Sequence, residues 1–128
     1  MKKTQHEIVN LIGQAIYDKK GINILALDVT GMSTIADFMV IAEGNVDRHV
    51  MAIGREVVDV LRENGVKAYQ SGGFEEGDWV ILDFAGVMVH IFAPELRDKY
   101  CLEKLWPKSE IVDLQIDVSR ATAPQMMR

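Results

Sequence analysis

The sequence has one cysteine, no long apolar run and, over one stretch of its second half, no positive charge at all. Cys101 stands alone, which excludes an internal disulfide, a zinc knuckle and a CxxC redox site, and points to a reducing compartment. No segment approaches the roughly 20 apolar residues that a membrane-spanning helix requires. The start, MKKTQHEIVN, has two lysines but no apolar run of signal-peptide length behind them. A soluble, cytoplasmic protein without a membrane partner is expected. The formal net charge of −5 argues against attachment to a phosphate backbone, which needs a cationic face. Between Lys67 and Arg97 there is no Lys or Arg, while Glu75, Glu76, Asp78, Asp83 and Glu95 all fall there. Such a run is either a set of solvated loops or an acidic face for a basic partner.

What is present reads as a single domain: 128 residues suffice to bury a core without a staple, and 48% hydrophobic with 26% charged residues is ordinary globular composition. Thr4-Gln5-His6-Glu7 is a capping box, followed by Ile8, Leu11, Ile12, Ala15 and Ile16 on one helical stripe that ends at DKKG. INILALDV and DFMVIAEG read as strands around a turn-like TGMSTIA. Asn45 is placed to cap a second helix, with Val46, Val50, Ile53, Val57, Val60 and Leu61 inward and Asn64-Gly65 at its end. VKAYQ is a further strand candidate, SGGFEEGD a flexible acidic loop, and APELRDKYCLEKLW a short helix touched on more than one side. The alternation in EIVDLQIDV predicts an edge strand, so the domain runs to residue 118, and residues 119–128 read as a disordered tail. Helices and strands in this order predict an α/β domain with a mixed, mainly five-stranded sheet flanked by helices.

The stretch WVILDFAGVMVHIF, residues 79–92, is the most informative. With Ala85-Gly86 as the turn, Phe84 faces Val87, Asp83 faces Met88 and Ile81 faces His90. One face then carries Val80, Leu82, Phe84, Val87, Val89 and Ile91 and must be core. The other carries Trp79, Ile81, Asp83, Met88, His90 and Phe92, a surface to be covered but not sealed, with Trp79, Met88 and Phe92 as candidate anchors.

Asp83 and His90 lie on a diagonal that permits a hydrogen bond, two-thirds of a nucleophilic triad. The missing third argues against hydrolysis: no serine sits in a strained elbow, and nothing around Cys101 would activate a thiol. The scattered His6, His49 and His90 match no metal pattern, and SGGFEEGD lacks the helix N-terminus and lysine of a phosphate cradle. Neither catalytic residues nor a metal or cofactor are expected.

At the level of motifs the chain resembles the ribosomal silencing factors, the Iojap family. The resemblance rests on DFMVIAEGNVDRHVMAIGREVV followed by GDWVILDFAGVMVHIFAPELRDKYCLEKLW, and above all on Trp79, Asp83, Val89-His90, Glu95, Arg97, Tyr100, Leu102-Glu103 and Leu105-Trp106 at these spacings. It spans the first helix to Trp106. It implies a sheet similar to the nucleotidyltransferases without their chemistry. Those enzymes carry a Gly-Ser turn and an Asp-x-Asp metal pair, where this chain has Gly44-Asn45 and Asp47-Arg48-His49. It further implies a translational repressor that binds the large ribosomal subunit through its fourteenth large-subunit protein and blocks joining of the small subunit when nutrients are scarce. An assembly factor using the same contact is the alternative, a nucleotidyltransferase-related enzyme with a metal site built from Asp28, Asp37 and Asp83 comes after it, and a homodimer through the exposed face is a further expectation for the isolated chain. Trp79, Asp83, Phe84, Met88 and Glu95 are thereby implied as contact residues, and His90, Arg97, Tyr100 and Trp106 as their support. Ala85 stands where the family usually has glycine, so the hairpin tip is expected to differ.

Overall fold

Thr4 opens the first helix as its side chain predicts: its hydroxyl accepts from the Glu7 N–H at 3.1 Å, and the Glu7 carboxylate accepts from the Thr4 N–H at 2.9 Å. A computed structural model describes residues 3–119 of the chain. Helix α1 (Gln5–Asp18) leads to β1 (Ile22–Asp28), β2 (Phe38–Glu43), helix α2 (Asp47–Glu63) and the short β3 (Gln70–Gly72). The hairpin β4 (Trp79–Phe84) and β5 (Val87–Phe92) follows, then helix α3 (Pro94–Tyr100), a 3₁₀ turn at Leu102–Leu105 and β6 (Glu110–Ile111). The strands form one sheet in the order β3-β4-β5-β2-β1-β6. Only β2 and β5 pair in parallel; every other neighbour is antiparallel.

Helices α1 and α2 lie on one face. Their stripes, including Ile12, Ile16, Val50, Ile53 and Val57, pack with Phe38, Val40, Val80, Leu82, Phe84, Val87, Val89 and Ile91 of the sheet into one buried cluster. A second, smaller cluster occupies the opposite face: Leu27, Val29, Met39, Ile41 and Phe92 are buried there, with Trp79, Met88, Leu96 and Trp106 packed against them in part. α3 and the turn after it supply the only helical cover on that side among the described residues.

Four expectations change. The sheet has six strands, because Glu110–Ile111 pairs with β1. The rest of the predicted edge strand is no strand. Its backbone instead meets side-chain amides of α1: Gln115 N–H donates to Asn10, and the Gln14 amide both accepts from the Asp117 N–H at 2.7 Å and donates to its carbonyl at 3.2 Å. Leu114 tucks against Gly13, so the alternation serves burial against a helix without a ladder. Asn45 does not cap α2: Val46 is the N-cap, and the Asn45 N–H donates to His49 Nδ1 at 2.9 Å. VKAYQ pairs only from its end, since Val66 N–H is held by the Leu61 carbonyl in the turn after α2. Of the expected tail, residues 120–128 lie outside the described residues.

Candidate functional site

The hairpin tip has left-handed backbone at both turn residues, Ala85 (φ 45°) and Gly86 (φ 90°), the geometry that matches strand twist in a two-residue loop. Alanine tolerates this at a cost, and the register is the one the sequence predicts, from Phe84 opposite Val87 to Trp79 opposite Phe92. Trp79, Ile81 and Asp83 therefore share the second face with Met88, His90 and Phe92. Met39 and Ile41 continue it on β2.

Burial divides these residues. Phe92 and Met39 are sealed beneath Leu96 and Trp106, so Phe92 is no anchor. Trp79, Ile81, Asp83 and Met88 are half-buried at the margin, which α3 covers only in part. Phe84, which the resemblance places among the contact residues, is fully buried on the helix-covered face. It lies in the cluster that α1 and α2 cover and offers no surface to a docked molecule in this fold, which takes it out of the contact set.

The polar pair expected between Asp83 and His90 is replaced. The Trp79 indole N–H donates to His90 Nδ1 at 3.1 Å, on the diagonal between the adjacent strands β4 and β5, which puts both rings on one face. Phe92 completes the stack, 4.8 Å from Trp79 and 6.1 Å from His90 between ring centres. His90 is buried, and that burial pushes its pKa down to about 4. The imidazole is thus neutral at pH 7, and because Nδ1 accepts, its proton sits on Nε2. His90 orients the indole.

Arg97 turns inward from α3: its guanidinium donates to the Asn23 carbonyl and pairs with Glu43 at 3.3 Å, both side chains about one-tenth exposed. Asn23 in turn donates to Glu43 at 3.1 Å. Asn23 has a left-handed backbone (φ 52°) in the irregular start of β1, which aims its carbonyl at α3. This knot ties α3 to the sheet. Its members Asn23 and Glu43 carried no signal in sequence, because their meeting depends on the β1–β2 pairing.

Glu95 is exposed in the first turn of α3. Trp106 packs on the second cluster, and the Tyr100 side chain lies outside the described residues. The acidic loop expected to be flexible makes defined contacts. Phe74 packs against Gly54 of α2 with Arg55 5.5 Å above its ring, and Gly77 N–H donates to the Gly73 carbonyl. An open groove of about 750 Å³ runs between this loop and α3, floored by Trp79, Ile81 and Leu96 and rimmed by Glu75, Glu76 and Asp78. Among the described residues no three His, Cys, Asp or Glu side chains are placed to hold a metal ion, and no helix is long and apolar enough to cross a membrane.

The family model described as "Ribosomal silencing factor during starvation" matches residues 2–127. A ribosomal silencing factor of Bacillus subtilis is 40% identical over 116 residues, which cover 91% of this chain and 98% of that one. A crystal structure of a Chromobacterium violaceum protein superposes with a TM-score of 0.80 at 32% identity, covering 94% of this chain and 99% of the other. A more distant mouse protein, named for mitochondrial assembly of the ribosomal large subunit, is 23% identical over 91% of this chain and 53% of its own length.

Proposed function

Because the chain belongs to the ribosomal silencing factor family, we propose that it is a cytoplasmic translational repressor that docks on the large ribosomal subunit through the fourteenth large-subunit protein and bars the small subunit by occlusion, making and breaking no bond. The observation that carries this reading is the second face of the sheet. Trp79, Asp83 and Met88 stand half-buried at its margin, Trp79 borders the acidic rim of the groove, and the chain carries no Lys or Arg from residue 68 to 96. Ribosomal proteins are commonly basic, and opposed potentials speed encounter and fix register. The contact set is Trp79, Asp83, Met88 and Glu95, with His90 orienting the indole and Arg97 and Trp106 seating α3.

The test is co-sedimentation with separated large subunits, small subunits and joined ribosomes. Binding to large subunits alone, lost in Trp79→Ala while the circular dichroism of the variant matches the parent, is the expected result. Wild-type chain that stays in the supernatant with large subunits overturns it. The name of the mouse relative supports a second reading, action during large-subunit assembly. A clear preference for precursor over mature large subunits would favour it. Sedimentation velocity of the isolated chain tests whether the same face pairs two copies in the absence of a ribosome.

A further inference from the structure

Strand β3 ends the sheet, and its three residues are all exposed. Its outer edge therefore carries backbone donors and acceptors that no strand of the described chain takes up. Gly72 stands opposite Ile81 and so belongs to the second face, at the wall of the groove. Nothing in the fold demands a glycine there. Its backbone is not left-handed, and a Cβ built on it meets no atom within 4 Å. The neighbouring Gly73 is the opposite case, with φ at 87° and a Cβ that would fall 1.9 Å from the Trp79 carbonyl. A glycine inside a strand weakens it and often marks a place where another backbone comes close. At Gly72 the missing side chain leaves open the space between the sheet edge and the Trp79–Ile81–Leu96 floor.

We propose that this groove receives an extended, lysine- or arginine-bearing segment of the protein partner, laid along β3 as an added strand. The inference rests on the docking reading above and specifies its mode. An incoming strand finds free hydrogen-bonding groups on β3, room for an apolar side chain over Gly72 and Ile81, and Glu75, Glu76 and Asp78 to meet its cationic side chains. The sign of the rim selects a basic occupant, since no cation stands in the chain from residue 68 to 96. The loop that carries the rim is anchored on α2 through Phe74 and Gly77, so the acids are held beside the edge before the partner arrives.

The experiment compares binding of purified large subunits to the wild-type chain, to Gly72→Val and to the double variant Glu75→Lys/Glu76→Lys, with hydrogen exchange of segment 70–78 followed in the wild-type complex. Valine suits a strand and fills the groove without touching the fold, so the melting temperature of Gly72→Val is expected to hold while affinity falls about tenfold or more. The charge-reversed chain is expected to lose affinity and most of its salt dependence, and amides of Gln70–Gly72 to become protected on binding. Wild-type binding that Gly72→Val retains in full, with no new protection of β3, overturns the strand-addition inference and leaves the docking reading standing. Should Gly72→Val fail to fold, the exposed double variant decides with the exchange data. Absence of wild-type binding overturns both.

Discussion

The two faces of the sheet are built from the same strands and differ in how they are finished. On the first, α1 and α2 cover every inward residue of β4 and β5, and Val80, Leu82, Phe84, Val87, Val89 and Ile91 retain no exposure. On the second, a seven-residue helix and one 3₁₀ turn cover the centre and leave Trp79, Ile81, Asp83 and Met88 partly exposed. Apolar burial alone explains the first face. The second cannot be read so, because a half-covered tryptophan gains little from water that a few more residues of helix would not improve. Its polar fixings, His90 beneath Trp79 and the Arg97–Glu43–Asn23 knot, hold a surface in shape without closing it.

The sharpest way to break the comparison is truncation on each face. Phe84→Ala removes a ring from the closed core and is expected to cost about 3–5 kcal/mol, enough to unfold a marginal domain. Met88→Ala, on the adjoining strand but the open face, is expected to cost about 1–2 kcal/mol, in proportion to the smaller area it hides. Urea unfolding of the two variants measures the difference, and equal losses would show that the second face is as closed as the first.

The knot is next. Arg97→Ala leaves Glu43 buried without its cation and the Asn23 carbonyl without its donor, at an expected cost of about 2–3 kcal/mol. Arg97→Lys should recover only part of that, since an ammonium cannot reach both acceptors in the fork geometry of a guanidinium. Limited proteolysis should cut the variant first near α3, because the short helix then keeps only the apolar packing of Leu96 and its neighbours on the second cluster.

His90 gives the comparison a pH axis. In the folded chain it titrates near 4, against 6.5 for an unperturbed histidine. Between those values the unfolded chain binds more protons, so stability is complete above about pH 6.5 and declines as pH falls toward 4. The depression corresponds to about 3 kcal/mol over the whole window. Unfolding free energies at pH 7 and pH 4.5 should differ by about 2–3 kcal/mol through this group, and His90→Gln should flatten the slope across that interval. The proton also removes the acceptor of the Trp79 indole N–H, so indole fluorescence in a Trp106→Phe background should report the same transition.

The closed face was legible in sequence because its causes are local or periodic. The capping box, the α2 stripe and the alternation of the hairpin each fix residues to a face before any partner strand is known. Ile81 opposite His90 followed from the turn alone. What escaped depended on contacts between distant segments. Asn10 and Gln14 take the place of a strand for residues 115–117, Asn23 and Glu43 receive Arg97, and His49 displaces Asn45 at the start of α2. The tryptophan partner of His90 was hidden for another reason: Asp83 and Trp79 both lie diagonally to His90, two residues either side of Ile81, and the carboxylate looked the better match, whereas the structure gives the bond to the indole. Family likeness brought Phe84 forward as a contact against the alternation of the hairpin, which already set it on the core face, and the structure sides with the alternation.

The smallest expected effect on stability belongs to the substitution that tests the open face most directly. Glu95 is exposed at the positive end of α3, where its carboxylate interacts with the helix dipole and nothing else of consequence. Glu95→Lys should therefore cost about 0.5 kcal/mol and leave the melting curve almost unmoved. If the second face is a docking surface, the same change places a cation beside Leu96 at the end of an otherwise cation-free stretch and should slow association with large subunits, with the difference shrinking as salt is raised. A variant that binds as fast as the parent at low salt would mean that charge at this end of α3 plays no part in docking, and would confine the contact to the Trp79 side of the groove. A variant that folds as before and associates slowly would separate the two faces by function as cleanly as Phe84→Ala and Met88→Ala separate them by stability.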